Sequence, residues 1–193
     1  MAIKAIIFDC FGVLVWAGHD YLKRDFPNIS DEITKLQFDS DAGKISRQEF
    51  NDTIAKSIGL SPQQVDDKYW LTSQFNKPMI EWARELKISK KYKIGMLSNI
   101  NRDWMDICLP FFNNTHLFDE IVLSGDVNLV KPNPEIFKLI ASKLNILPNE
   151  CVMIDDSIKN IEGAKQSGMH GIVYHSKEQS QTDLNKILEE NNA

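Results

Sequence analysis

Asp9 closes the apolar run Ala5-Ile6-Ile7-Phe8 and precedes Cys10-Phe11-Gly12, so a carboxylate stands where a buried strand gives way to a glycine turn. At the C-terminal edge of a parallel sheet, such a group faces the crevice where open α/β folds bind ligands. Three further stretches follow in the order a phosphoryl-transfer site needs. Ile94-Gly95-Met96-Leu97 ends in Ser98-Asn99, a hydroxyl and an amide beside backbone donors that favour an anion. Lys131 precedes Pro132-Asn133-Pro134, where Asn133 can cap and Pro134 can open a helix over residues 135–144, which puts an ammonium just ahead of that helix. Cys151-Val152-Met153-Ile154 runs into Asp155-Asp156-Ser157, with Asn160 a helical turn further on. Two adjacent acids repel unless a hard cation lies between them. Singly, each stretch has a plain structural explanation as a cap, a turn or a solvated lysine. Jointly, within one α/β alternation, they describe a single site.

The elements that must position these groups are legible from the same pattern. Helices are predicted over 78–86, 102–109, 135–144 and 158–167, the last closed by Gly168, with a polar helix from about Thr182. Strands are predicted at 121–123 and 171–174 besides those named above. Strands separated by helices imply a doubly wound parallel sheet with right-handed crossovers, here of five or six strands. Between the first strand and the rest, residues 16–76 read as helical. Ser46-Arg47-Gln48-Glu49 is a capping box, and Ser61-Pro62 an N-cap followed by proline at the first helical position. Gly43 and Gly59 fall where helices stop, and Phe50, Ile54 and Ile58 form one apolar stripe. This insert is expected to be a small helical bundle.

Composition bounds the answer. A chain of 193 residues can bury roughly 70% of its unfolded surface, so a sizeable core is available without staples. Three cysteines, Cys10, Cys108 and Cys151, show no paired spacing and point to a reducing, cytoplasmic setting; Cys10 reads as packing. No signal peptide or membrane span is apparent, and a formal net charge of −5 without a basic run disfavours nucleic acid as a partner. His116, His170 and His175 show no ligand spacing, and the tail 189–193 is expected to fray.

On these residues the chain resembles the haloacid dehalogenase-like hydrolases, most of them Mg²⁺-dependent phosphatases, over nearly its whole length. The phrase Lys131-Pro132-Asn133-Pro134-Glu135-Ile136-Phe137 and the stretch 155–169, with Gly163-Ala164 and Gly168, carry the resemblance furthest. It implies a Rossmann-like core over 1–15 and 77–193 and a cap over 16–76 that lies above the nucleophile, excludes water and selects a small phosphorylated substrate. It makes Asp9 the nucleophile, Ser98 and Lys131 the phosphate-gripping pair with Asn99 a polar neighbour binding substrate, and Asp9, the Phe11 carbonyl, Asp155 and Asp156 the Mg²⁺ site. Trp16, His19, Asp20 and Tyr21 are the cap residues nearest the site by chain position, with Lys23 and Arg24 able to reach an anion.

One departure from the family pattern stands at Phe11, where its phosphatases usually carry a second Asp that protonates the leaving alkoxide and then activates water. Such help is typically worth about 10²–10⁴ in rate, and since Phe11 cannot transfer protons, activity is expected to fall steeply as the leaving group becomes more basic. Two other readings accommodate Phe11: a weak or inactive ligand-binding member, and a metal-free 2-haloacid dehalogenase, which also carries an aromatic there. The pair Asp155-Asp156 argues against the latter, because a site that attracts a carboxylate substrate gains nothing from two further negative charges. A signalling receiver domain, from a different class, shares an acidic pair, a phospho-accepting Asp and a Lys-Pro. Receivers, however, place the pair first and the lysine near the end, the reverse of the order here.

Overall fold

The computed structural model of the chain describes residues 2–16, 18–72, 74–112 and 116–192. Met1, Ala193 and the side chain of His19 lie outside the described residues. After β1 (Ala5–Phe8), the short strands β2 (Val15–Trp16) and β3 (Gln74–Phe75) pair antiparallel, Val15 with Phe75. Between them run α1 (His19–Asp25), α2 (Ser30–Asp41), α3 (Arg47–Ile58) and α4 (Pro62–Thr72). The chain continues as α5 (Lys77–Ile88), β4 (Lys93–Ser98), α6 (Arg102–Cys108), β5 (Glu120–Leu123) and α7 (Ser124–Val127). It ends in α8 (Pro134–Leu144), β6 (Cys151–Asp155), α9 (Ile158–Gln166), β7 (His170–Val173) and α10 (Lys177–Asn192).

Five strands form a parallel sheet in the order β5-β4-β1-β6-β7. β1 is buried on both faces, which is why it reads as a continuous apolar run rather than an alternating one. Ile6 and Phe8 enter one core layer, where Phe8 meets Trp82 of α5 edge to face at 5.9 Å; Ala5 and Ile7 enter the other, with Ile136, Phe137 and Ile140 of α8. Helices cover both faces, as the alternation requires. Among the described residues, no helix is long and apolar enough to cross a membrane.

Strand order is what assembles the site. β1 lies between β4 and β6, with Phe8 in register with Met96 on one side and Ile154 on the other. The residues that leave the C-terminal ends of these three strands, Asp9, Ser98 and Asp155, are therefore neighbours, at the point where the strand order reverses. The main chain ties them further, the Asp9 N–H donating to the Ile154 carbonyl at 2.9 Å.

Most predicted elements form with the capping chemistry that announced them. Ser46 and Glu49 close the capping box of α3, and the Asn133 side chain accepts from the Glu135 N–H at 3.1 Å where α8 begins. Two ends differ. α10 begins at Lys177 rather than near Thr182, because Ser176 accepts from the Gln179 N–H while the Gln179 side chain accepts from the His175 N–H. α6 stops at Cys108 and a 3-10 turn over Leu109–Phe112 continues past Pro110.

The loop after β5 is held by a close approach that only glycine permits. A Cβ on Gly163 of α9 would collide with the Pro132 carbonyl oxygen, so α9 packs directly on the backbone that presents Lys131. We expect Gly163→Ala to destabilise the protein by about 1–3 kcal/mol through forced separation of these segments. A thermal melt should show a drop of about 2–10 °C; an unchanged Tm would mean the approach is not constraining.

Candidate active site

The β1 carboxylate, the lysine and the acidic pair converge. Lys131 is almost fully buried, and its Nζ lies 2.8 Å from Asp9 Oδ1, 2.6 Å from Asp155 Oδ2 and 3.1 Å from the Leu97 carbonyl oxygen. Three acceptors saturate the three donors of an ammonium. Burial disfavours its charge, but the Asp155 and Asp9 carboxylates outweigh that and hold its pKa above the ordinary lysine value.

Asp155 is wholly buried and fully engaged. Besides Lys131, it accepts from the Ser157 N–H at 2.9 Å and from Asn160 Nδ2 at 3.0 and 3.1 Å. Burial pushes its pKa up, yet Lys131, Ser157 and Asn160 together bring it below the usual carboxylate range. Asp9 takes the opposite direction: burial first and then the Asp155 charge push it well up, against the pull of Lys131. Its Oδ1 also accepts from the Cys10 N–H at 2.7 Å. Asp156 is exposed, and desolvation followed by the Asp155 charge raises it.

Asp9, Asp155 and Asp156 each offer an oxygen within 4.8 Å of the other two. Gly12, at φ +90°, lets the loop after β1 close over this cluster, since a Cβ there would strike the Asp156 carboxylate. Burial and the Asp155 charge push Asp9 and Asp156 toward protonation, a repulsion that a divalent cation held among the three carboxylates would relieve. The oxygen-only donor set suits a hard ion such as Mg²⁺. Ser98 supplies an independent sign of a ligand: its hydroxyl is buried with no hydrogen-bond partner among the described residues, an arrangement that costs free energy unless an acceptor or donor enters the site.

Asp9, Phe11, Ser98, Asn99, Lys131 and Asn160 line one cavity of about 150 Å³. The structure therefore brings together Asp9, Ser98, Lys131 and Asp155, and places Asp156 and Phe11 at their edge. Asn99, expected to bind substrate, lines the cavity and also braces the lysine: Oδ1 accepts from the Lys131 N–H at 2.8 Å and Nδ2 donates to the Lys131 carbonyl at 3.1 Å. It fixes the lysine's backbone; Asn101 stands at the N-cap position of the helix that follows but makes no side-chain capping bond.

The insert's contribution differs from the candidates nearest in the chain. Gln37 and Asp41 of α2 and Tyr69 of α4 reach the cavity. Trp16 is instead exposed, its ring 6.2 Å from that of Tyr174, and Asp20 is exposed. Arg24 lies over the Tyr21 ring and pairs with Asp25. Sequence distance carried no signal for the cavity residues, because which helix face turns inward is settled by packing between elements.

Comparison with known proteins agrees with this geometry. Residues 3–168 match the family model for haloacid dehalogenase-like hydrolases. The chain is 34% identical to the putative phosphatase YhcW of Bacillus subtilis, over 91% of its length and 84% of that protein's. It is 27% identical to the D-ribitol-5-phosphate phosphatase of Bacteroides thetaiotaomicron, over 86% and 89%. Against the drimenol cyclase DrtB of Aspergillus calidoustus, 24% identical, it spans only 29% of the relative's length. Among solved structures, the BT-2542 enzyme of Bacteroides thetaiotaomicron, in complex with magnesium and inorganic phosphate, superposes with a TM-score of 0.74 at 27% identity. That match covers 91% of this chain and 96% of that one.

Removal of the buried ammonium exposes the electrostatics. Lys131→Met should destabilise the protein by about 3–5 kcal/mol at pH 8. The loss should shrink toward pH 5, since carboxylates without the ammonium escape their burial penalty by taking up protons. Urea titration at the two pH values checks this; an equal loss at both would contradict it.

Proposed function

The chain belongs to the haloacid dehalogenase-like hydrolases, and from that premise we propose that it is a Mg²⁺-dependent phosphatase acting on a small phosphorylated metabolite through an aspartyl-phosphate intermediate. The observation that carries the reading is the buried convergence of Asp9, Lys131 and Asp155 beside the unpartnered Ser98 hydroxyl. Relatives named as phosphatases, one of them for D-ribitol 5-phosphate, support both the activity and a substrate of the sugar-phosphate kind. A cavity of about 150 Å³ suits such a substrate, being well below the roughly 300 Å³ at which drug-sized pockets begin.

Asp9 attacks phosphorus, and the bond to the leaving oxygen breaks. Ser98 donates to one non-bridging oxygen. Lys131 can donate to another only by giving up one of its three present partners, Asp9, Asp155 or the Leu97 carbonyl. Asp155 stays with Lys131, Ser157 and Asn160 and holds the ammonium in place. The residues that would hold Mg²⁺ are Asp9, Asp156 and the Phe11 carbonyl, with Asp155 in support. When bound, the ion would offset the negative charge on the phosphoryl oxygens as it redistributes. Water then cleaves the acyl phosphate and frees Asp9.

The four helices α1 to α4, within residues 16–76, serve as the cap. Their α2–α3 turn is stitched to the core beside the site: Asn101 Nδ2 donates to the Ile45 carbonyl at 2.6 Å, and the Arg47 N–H donates to Asp103 at 2.6 Å. Three clustered carboxylates disfavour the metal-free carbon chemistry of a 2-haloacid dehalogenase.

A screen of sugar and polyol phosphates with and without Mg²⁺ tests the reading. Phosphate release should require the ion, be abolished by chelator and fall by at least about 10³-fold in Asp9→Asn. Turnover that survives Asp9→Asn would refute the assignment.

A further inference from the structure

Resting on the phosphatase reading, we infer that Asp41, at the end of α2, is the general acid and base of the reaction, reaching the leaving group from the insert in the cavity that Asp9 also lines. A phosphate ester of an ordinary alcohol needs a proton for its leaving oxygen, and the hydrolytic half-reaction needs a base for water. Among the described residues lining the cavity, the titratable side chains are Asp9, Asp41, Tyr69 and Lys131. Asp9 is consumed as nucleophile. Lys131 is tied to two carboxylates and held charged, and burial pushes the Tyr69 phenol well above its usual value. Phe11 cannot carry a proton. Asp41 remains.

The wall that carries Asp41 is fixed rather than pendant. Gln37, one turn back on α2 and itself on the cavity wall, donates to Asp41 Oδ1 at 2.7 Å. The Asp41 carbonyl accepts from the Ser124 hydroxyl, which in turn accepts from the Ile100 N–H at 2.8 Å. Ile100 follows Ser98 by two residues, so one short hydrogen-bonded path joins the Asp41 backbone to the loop that carries the phosphate-facing hydroxyl.

The surroundings suit proton transfer near neutrality. Burial raises the Asp41 carboxyl to about 7, against the opposing pull of the Gln37 hydrogen bond and of Lys131 and Lys23. Lys131 comes from the core, Lys23 from α1 and Tyr69 from α4; Arg102 and Asp126, on α6 and α7, pair with each other. In the first step the Asp41 O–H gives its proton to the departing alkoxide as the phosphorus–oxygen bond breaks, and the alcohol leaves. In the second, the Asp41 carboxylate takes a proton from the water that attacks phosphorus. The Asp9–phosphorus bond breaks, inorganic phosphate departs and both aspartates return to their starting states. Net consumption is one ester and one water.

The test compares wild type, Asp41→Asn and Asp41→Glu on an alkyl phosphate and on p-nitrophenyl phosphate, whose leaving group needs no proton. Asp41→Asn should lower kcat on the alkyl ester about 100- to 10,000-fold with little change in KM, and should lower kcat on the aryl ester far less. In wild type, alkyl turnover should fall as pH rises through about 7, since the acid must be protonated; that limb should vanish in Asp41→Asn and persist in Asp41→Glu. The steep dependence on leaving-group basicity expected from Phe11 alone would then belong to Asp41→Asn rather than to wild type. Phe11→Asp in the Asp41→Asn background should restore part of the alkyl activity, which a structural lesion would not allow. Thermal melts check folding: Asp41→Asn should become more stable relative to wild type as pH rises from about 4, levelling off above about 7, because ionising the native carboxyl is what costs stability. Equal losses on both esters, or an unaltered pH profile, would overturn the role of Asp41 alone. Wild type inactive on both esters with Mg²⁺ would overturn the phosphatase reading and the assignment with it.

Discussion

A single buried ammonium organises the centre of this molecule. Lys131 lies between Asp9 and Asp155 under the mouth of the sheet, out of contact with bulk water. Burying such a cluster is expensive, and replacing buried ion networks with apolar groups is often neutral or stabilising. The burial of Asp9 and Asp155 around one lysine, with Asp156 exposed beside them, is therefore best explained by chemistry. Burial and the Asp155 charge push Asp9 and Asp156 toward protonation, and among the described residues the neighbouring Ser98 hydroxyl has no hydrogen-bond partner. A divalent cation and an anionic ligand resolve both conditions at once.

Everything around the lysine keeps it in place. β1 runs between β4 and β6, which makes neighbours of residues far apart in the chain. Asn99 grips the Lys131 backbone from both sides, and α9 presses on the next residue at Gly163. Asn160, one turn into the same helix, holds Asp155. The polypeptide thus fixes the charge geometry before any ligand arrives, which is the condition under which electrostatic stabilisation of a transition state is most effective.

The core of this arrangement was legible because its signals are local. Asp9, Ser98, Lys131 and Asp155 each adjoin a strand end or a helix start, and a strand followed by a cap can be read from a few consecutive residues. The helix starts at Ser46 and Asn133 were legible for the same reason. What the sequence concealed depends on packing between distant segments. The bonds by which Asn99 braces the Lys131 backbone join residues too far apart in the chain to be read there. Gln37, Asp41 and Tyr69 reach the cavity because of how α2 and α4 lie against the core, while Trp16, nearest in the chain, turns outward. The early start of α10 reflects a cap in which Ser176 accepts from the Gln179 N–H and the Gln179 side chain from the His175 N–H, which a search for apolar periodicity passes over.

The most direct measurement is the site of covalent labelling during turnover. Enzyme, Mg²⁺ and a hydrolysed phosphate ester would be mixed rapidly, quenched in acid and digested, and the phosphorylated peptide sequenced by mass spectrometry. The account predicts an acid-stable phosphoryl group on the peptide containing Asp9, at Asp9 itself. Phosphate found on Ser98 or on the Asp155-Asp156 pair, or turnover with no phosphoryl-enzyme at any mixing time, would contradict it.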